Sequence, residues 1–396
     1  MKNRKVLISG AGIAGPTLAY WLREYGFDPT LIERAPALRE GGYIIDFWGL
    51  GFDVAEKMGL LQGLRRTGYD VNEVRLVDGE GKRIGGFTVR AFRTTVGDRY
   101  LSVLRSDLAK LIYESLGGRV RTMFGDSLET IEQDDAGARV TFRHRAAERF
   151  DLVIGAGGLH SPVRRIIFGP ESRFEKYLGY YAASFSVEGY PRRDPGAYVS
   201  YAAPGRQVSR YSLRGDRTVF FFAFSAHDRL PDGSAGFSRQ KDILRETFGR
   251  DRWECPDILA ALEASSELYF DSVSQIRMEA WSRGRVALVG DACFCPSLLA
   301  GQGSALAMAG AYILAGELKK AGGDYATAFR NYESMLRPFM ERKQRAGESF
   351  ASSFAPKTRL GIFFRNQVTR LMSVPFVANL AMGRLLADPL TLPVYH

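Results

Sequence analysis

Cysteine is scarce in this chain: Cys255, Cys293 and Cys295 are the only three in 396 residues. The odd number and the lack of spaced pairs argue against a disulfide framework and a zinc site, and they fit a reducing compartment, so a cytoplasmic protein without a metal is expected. Histidine is nearly as rare, with four in the chain. His144, His160 and His227 stand isolated, with no identifiable serine or cysteine partner for nucleophilic catalysis. No run of about 18 apolar residues is present, so no membrane span is expected. No secretory leader precedes the first strand pattern, which begins almost at Met1. Lys and Arg outnumber Asp and Glu by 54 to 44, for a net charge of +10, yet the basic residues are scattered. Without a basic block or a nucleic-acid motif, nucleic acid is not an expected partner. Diffuse positive charge suits an anionic cofactor or substrate instead. Internal repeats and low-complexity segments are absent. With 45% hydrophobic residues, there is material for two domains, or for one large domain carrying an insertion.

What the chain does have is concentrated first in residues 4–34. Val6, Leu7 and Ile8 form a short apolar run of the buried-strand type, followed by Gly10-Ala11-Gly12-Ile13-Ala14-Gly15, the G-x-G-x-x-G spacing. Leu18, Ala19, Leu22 and Tyr25 follow at helical spacing, with Gly26 as a stop. Thr30-Leu31-Ile32 is a second strand ending on Glu33. Gly10 allows a tight turn, Gly12 leaves room for a pyrophosphate, and Gly15 lets the helix approach the strand. The helix N-terminus offers free N–H groups to phosphate. Glu33 can accept hydrogen bonds from ribose hydroxyls, which favours an unphosphorylated ribose, FAD or NAD rather than NADP.

Further along, Tyr43–Phe47 reads as a strand and 51–63 as a helix. Residues 71–78 and 83–90 read as a hairpin. Leu101–Leu104 is a strand, and Ser106-Asp107 cap a helix 108–116. Segments 119–124, 127–133 and 138–143 alternate like a meander. Asp151–Gly158 is a buried strand running into a glycine turn. From Tyr180 to Phe224 the pattern becomes aromatic and β-rich, followed by helices 238–248 and 256–265 and a strand 268–278. Arg285–Asp291 returns to the buried-strand pattern. Gly301-Gln302-Gly303 opens a small-residue helix to about Lys320, and 324–346 is a long amphipathic helix. The tail 359–387 mixes basic and apolar residues. A docked helix is expected there rather than a membrane-surface one, because Pro375 interrupts it.

Three glycine-containing strand ends thus stand at 10–15, 155–158 and 290–303. Over residues 4–345 the chain resembles the class A flavoprotein monooxygenases, the para-hydroxybenzoate hydroxylase-like family. The motifs are GAGIAG with Glu33, LSVLRSDLAKLI around Arg105, DLVIGAGGLHSPVR, and RVALVGDACFCPSLLAGQGSALAMAGAYILAGEL. Within the family, LIERAPALREGGYIIDFWG and AMAGAYILAGELKKAGGDY look most like the tetracycline-inactivating branch. The resemblance implies an α/β fold: a Rossmann-type three-layer FAD-binding domain, an inserted β-sheet substrate domain and C-terminal helices. The FAD domain would comprise 1–70, 101–170 and 280–322, the substrate domain 71–100 and 171–279, and the bridging helix and tail 323–396.

The resemblance also implies roles. Gly10, Gly12, Ala14 and Gly15 hold the pyrophosphate of a non-covalent FAD. Glu33 binds the adenosine ribose and Arg34 lies beside the adenine. Arg105 contacts the ribityl–phosphate part and Asp291 a ribityl hydroxyl. Gly301 and the helix it opens face the isoalloxazine ring, where a helix N-terminus stabilises the reduced flavin's negative charge. NADPH or NADH reduces FAD, O2 adds to give a flavin C4a-hydroperoxide, and oxygen passes to a polycyclic or phenolic, tetracycline-like compound, with no protein side chain as covalent catalyst. Phe185, Tyr211, Phe222 and Phe224 are the candidate lining of the substrate pocket. A monomer or homodimer is expected. The chain departs from the family pattern at Gly157, where an aspartate is usual, at Phe294, where a histidine is usual, and at Leu298, where a proline is usual. Two other readings remain open: a flavin oxidoreductase without oxygen insertion, although no Trp-x-Trp-x-Ile halogenase signature occurs, and a flavoprotein that binds or sequesters a ligand without turnover.

Overall fold

The computed structural model describes residues 2–89, 99–230, 236–371 and 390–395, with 349–353 as backbone only. Lys5–Ser9 is central in a six-stranded sheet. The spatial order is Ser282–Arg283, Val286–Leu288, Leu152–Gly155, Lys5–Ser9, Asp28–Glu33, Arg121–Phe124. All neighbours run parallel except the edge strand Ser282–Arg283. A strand buried on both faces needs apolar residues at consecutive positions, which is why Val6, Leu7 and Ile8 are fully inaccessible.

The helices Ala14–Glu24 and Gly303–Lys320 pack together on this sheet, with Trp21 and Tyr312 edge-to-face at 4.8 Å. Gly303–Lys320 is buried along nearly its whole length, and its run of Ala and Gly permits the close approach. A meander of Leu128–Asp134, Gly137–Phe142 and Glu148–Phe150 joins the same core through Ile131, Val140, Phe142 and Phe150. The sequence pattern assigns 119–124 to that meander. Arg121–Phe124 instead pairs in parallel with Asp28–Glu33, because the helix Arg105–Glu114 returns the chain to the sheet edge. The helix expected over 51–63 is two, Leu50–Lys57 and Leu61–Thr67, interrupted at Gly59, where φ is +73°.

The second large sheet has seven strands: Tyr269–Ile276, Glu175–Glu188, Arg217–Ser225, Arg206–Ser212, Ala197–Ala203, Glu73–Val77, Arg83–Thr88. Its two faces are apolar for different reasons. One packs Tyr181, Phe185, Phe220, Phe222 and Phe224 against the helices Phe237–Phe248 and Cys255–Ala264. The other turns Tyr180, Ala182, Phe221 and Ala223 toward Leu298 and Leu299. Between the sheets lies a two-stranded ribbon, Ile44–Trp48 paired with Tyr100–Leu104. The 30-residue helix Tyr325–Phe354 anchors Phe329, Tyr332 and Phe339 in the first core. Its C-terminal Phe354 meets Phe221 of the second sheet at 6.0 Å. Gln344 and Gln275 tie the same junction with buried hydrogen bonds to the carbonyls of Ile276, Cys295 and Pro296.

The tail begins with the helix Arg359–Leu371, whose Thr369 hydroxyl accepts from the Gly86 N–H. Residue 90 of the expected hairpin and residues 372–387 of the tail, including Pro375, lie outside the described residues. Among the described residues no helix is long and apolar enough to cross a membrane.

Candidate FAD and substrate site

The first glycine turn is tight. Gly10 has φ +115°, and a Cβ there would stand 2.5 Å from the Ala156 carbonyl oxygen. A Cβ on Gly15 would stand 1.9 Å from the Gly10 carbonyl oxygen, so only glycine lets the helix start on the strand end. Gly12 differs: a Cβ there would meet nothing within 4 Å. Its glycine answers no demand of the protein's own packing, and open space beside a helix start fits an incoming phosphate. The helix Ala14–Glu24 has no side-chain cap and no acidic residue in its first turn.

Glu33 ends its strand with one oxygen accepting from the Ala11 N–H at 2.9 Å and the other from the Ala35 N–H at 3.0 Å. The carboxylate is thereby fixed against the glycine turn, with its remaining lone pairs available to ribose hydroxyls. Arg34 is exposed beside it.

The third motif converges on the same place. Gly290 has φ +68°, and a Cβ there would stand 3.1 Å from the Ala14 Cβ and 3.4 Å from the Ala307 Cβ. The starts of both packed helices therefore meet over Gly290. Asp291 follows, close to the N-terminus of Gly303–Lys320: a Cβ on Gly303 would be 3.7 Å from its Oδ1. Burial raises the Asp291 carboxyl, while the positive charge of Arg105 acts in the opposite direction. Arg105 opens the helix Arg105–Glu114, its N–H donating to the Tyr43 carbonyl at 3.1 Å. Among the described residues its guanidinium has no hydrogen-bond partner, and its field reaches Asp291, Tyr43 and Tyr269. Gly301 is left-handed, φ +68° and ψ 0°, with open space at its Cβ position, and Gly303–Lys320 also begins without a side-chain cap or an acidic residue. Two uncapped helix starts, an anchored carboxylate, an unpaired arginine and two open glycines fit an extended dinucleotide such as FAD.

The loop 295–302 stores strain. Ser297 has φ +111°, a region favouring glycine, and its buried hydroxyl has no partner among the described residues. Such a conformation is kept where the surroundings dictate it, here beside Gly301. Burial raises the thiols of Cys293 and Cys295 well above their usual range, keeping them as unreactive thiols.

The residues expected to line the substrate pocket divide between the two faces of the seven-stranded sheet. Phe185, Phe222 and Phe224 are buried on the far face of the seven-stranded sheet, in the core formed with Phe237–Phe248 and Cys255–Ala264. Alternation separates Phe221 from Phe220, Phe222 and Phe224 as the sequence indicates, but it is Phe221 that faces the flavin-side loop. A run of four apolar residues cannot reveal which face meets helices and which meets the other sheet. Tyr211 does face inward. It is buried with Tyr69 and Tyr198, 6.0 and 6.4 Å between ring centroids, and with Tyr100 of the ribbon. Tyr43, which the sequence does not mark, bridges Phe221 and Tyr269 at 5.7 and 5.6 Å. Burial pushes its hydroxyl up to about 12.

His160 is not isolated. Nδ1 lies 2.9 Å from Glu171 and Nε2 3.0 Å from Asp271, and these carboxylates raise its pKa to about 10. Glu171 also pairs with Arg164 at 2.6 Å, and fully buried Arg164 donates to the Ala292 carbonyl beside Asp291. The second motif is thus a charged strut joining the third motif to strand Tyr269–Ile276. Gly157 suits it: a Cβ there would press Pro162 Cδ at 2.9 Å, so an aspartate would displace the next helix. Phe294 stands where a histidine is usual, tilted against Trp281 at 5.0 Å and filling the space beside Gly310.

Comparison with known proteins matches this geometry. A family model described as an FAD binding domain matches residues 3–342. A flavin-dependent monooxygenase of Legionella longbeachae is 35% identical over 396 residues, spanning 100% of this chain and 99% of that one. Among solved structures, tetracycline destructase Tet(55) superposes with a TM-score of 0.84 at 33% identity, covering 99% of each chain. HpxO of Klebsiella pneumoniae, solved with FAD and uric acid, gives 0.79 at 25% identity over 99% of each. The chain belongs to the FAD binding domain family and is an FAD-dependent monooxygenase of the class A type.

Proposed function

We propose that this monooxygenase uses NADPH or NADH and O2 to hydroxylate a polycyclic or phenolic compound of the tetracycline type. The observation that supports the reading is the packing of Leu298 and Leu299, next to Gly301 and the start of Gly303–Lys320, with Tyr180, Phe221, Ala223 and Tyr43 on one face of the seven-stranded sheet. Bound FAD supplies the redox chemistry and the activation of O2 there. The chain's own residues do the rest. Gly10, Gly12, Ala14 and Gly15 form the phosphate turn, Glu33 takes ribose hydroxyls, and Arg34 flanks the adenine. Arg105 and Asp291 hold the ribityl–phosphate portion, and Gly301 admits the ring. The helix start beside Gly301 stabilises negative charge on the reduced ring. Leu298, Leu299 and Phe221 exclude water and present a flat apolar surface to a fused-ring substrate. The likeness to tetracycline destructases Tet(55) and Tet(51) supports the substrate class.

The test is NADPH and NADH oxidation by FAD-loaded protein, followed at 340 nm, against a panel of phenols, polyketides and tetracyclines. Oxidation accelerated at least about tenfold by a fused-ring phenol is expected, corresponding to roughly 1.4 kcal/mol in the barrier. Reduction by neither nucleotide under any condition would overturn the reading in favour of ligand binding without turnover.

A further inference from the structure

The helix Arg359–Leu371 is mounted in reverse. A surface helix of a globular protein ordinarily buries its apolar stripe and turns its polar residues outward. Here the polar side is docked. Asn366 is buried, and a Cβ on Gly85 of the edge strand Arg83–Thr88 would stand 3.2 Å from its carbonyl oxygen. Arg365 Nη1 donates to Gln207 Oε1 at 2.7 Å and to the Phe354 carbonyl at 3.0 Å. The Thr369 hydroxyl, one turn further on, accepts from the Gly86 N–H. The apolar side points away from the protein: Leu360, Phe363, Phe364, Val368 and Leu371 are each more than half exposed. Apart from Phe237 and Val394, these are the exposed large hydrophobic side chains of the described residues. At about 100° per residue the five form one stripe roughly 140° wide, centred opposite Thr369. Single exposed apolar residues need no explanation, but a contiguous stripe marks contact with something apolar.

Charge indicates what that is. The helix contains Arg359, Arg365 and Arg370 and no acidic residue. From Ser349 to Ala387 the chain carries no Asp or Glu, while Lys357, Arg359, Arg365, Arg370 and Arg384 are basic. Arg359 and Arg370 are exposed, and the helical repeat sets both along one flank of the stripe. An apolar stripe rimmed by cations fits a phospholipid surface with anionic headgroups, where phenylalanine and leucine enter the acyl boundary and arginine stays at the level of the phosphates. A second copy of this chain fits less well, because pairing two such helices brings arginines together with no acid to offset them. With 13 residues the helix is too short to cross a bilayer and would lie along its surface.

We propose that Arg359–Leu371 is an interfacial anchor that holds the protein on an anionic phospholipid surface through Leu360, Phe363, Phe364, Val368 and Leu371, with the edge strand Arg83–Thr88 of the seven-stranded sheet next to the lipid. The inference does not rest on the identity of the substrate.

The test is co-sedimentation of the FAD-loaded full-length protein with sucrose-filled vesicles, made of phosphatidylcholine alone or of an equimolar mixture with phosphatidylglycerol. The variant Phe363→Gln with Phe364→Gln removes apolar area and leaves every basic residue and the docked side in place. The wild type is expected to bind the anionic vesicles at least about tenfold more tightly than the neutral ones, and the double variant, with FAD content and thermal unfolding unchanged, to bind them at least about tenfold more weakly than the wild type. Leu360→Gln with Val368→Gln reads the same stripe if the first variant does not fold. Absence of the wild type from the anionic pellet overturns the proposal. Equal binding by wild type and variants also overturns it, because the attraction would then come from the net charge of +10 alone. A wild-type dimer in sedimentation velocity that the variants dissolve, without vesicle binding, overturns it in favour of a second copy.

Discussion

Phe221 and Phe222 are sequence neighbours with different tasks. Phe222 is 1% exposed, stacked with Phe185 and edge-on to Phe248 at 5.0 Å. Removing it leaves a cavity between sheet and helices, so Phe222→Ala should cost about 3–5 kcal/mol in a denaturant titration of the FAD-loaded protein. Phe221 packs with Tyr43, Phe354 and Leu299 on the opposite face. Phe221→Ala should cost less stability and raise the KM for a fused-ring substrate several-fold at unchanged FAD content. Equal destabilisation by both, with no change in KM, would contradict the assignment of faces. His160 makes a second prediction at this scale. Its folded-state pKa of about 10 lies above the ordinary 6.5, so its contribution is complete below pH 6.5 and is lost as the pH rises through about 10. The side chain is half exposed, and after allowance for screening the strut is worth on the order of 1 kcal/mol. Unfolding experiments should therefore show wild type and His160→Ala differing by that amount near about pH 6 and converging above about pH 10.

At the scale of elements, the glycine turn separates two roles that one motif usually blends. Gly15→Ala places a Cβ on the Gly10 carbonyl, so the helix must move; stability should fall by roughly 1–3 kcal/mol even without FAD. The Cβ of Gly12→Val would meet no protein atom within 4 Å, so the apo-protein should keep its stability within about 1 kcal/mol while FAD affinity drops at least about tenfold. Flavin absorbance after gel filtration, with thermal unfolding of the apo-proteins, checks both. Retained FAD in Gly12→Val would show that the space beside Gly12 is not the phosphate's.

Much at this scale was legible in the sequence. Fully buried parallel strands announce themselves by consecutive apolar residues, as in Val6–Ile8 and Val286–Leu288. Small-residue helices announce close packing, as in Gly303–Lys320. What could not be read is pairing at a distance. Arg121–Phe124 has the same alternation as the meander strands that follow it, and only the preceding helix decides that it joins the other sheet. Likewise nothing near His160 in sequence indicates Asp271, which reaches it across 111 residues.

At the scale of the whole molecule, one apolar face of the seven-stranded sheet packs on Leu298 and Leu299, beside Gly301 and the uncapped start of Gly303–Lys320. The first-turn glycines and Glu33 stand out in the sequence because phosphate and ribose binding asks for them at fixed offsets from a strand end, whereas Arg105 and Asp291 are marked only by the resemblance to the family. The packing of the seven-stranded sheet was half legible: alternation gives two faces, and only tertiary packing says which one is covered by helices.

The central claim, oxygen transfer to a fused-ring phenol, is tested most directly by product mass under labelled oxygen. FAD-loaded protein is incubated with NADPH, a tetracycline and 18O2, and the product is weighed. A product carrying one 18O atom, absent when NADPH is withheld, is the predicted result. NADPH consumed with all label recovered in hydrogen peroxide and the tetracycline unchanged across the panel would contradict it.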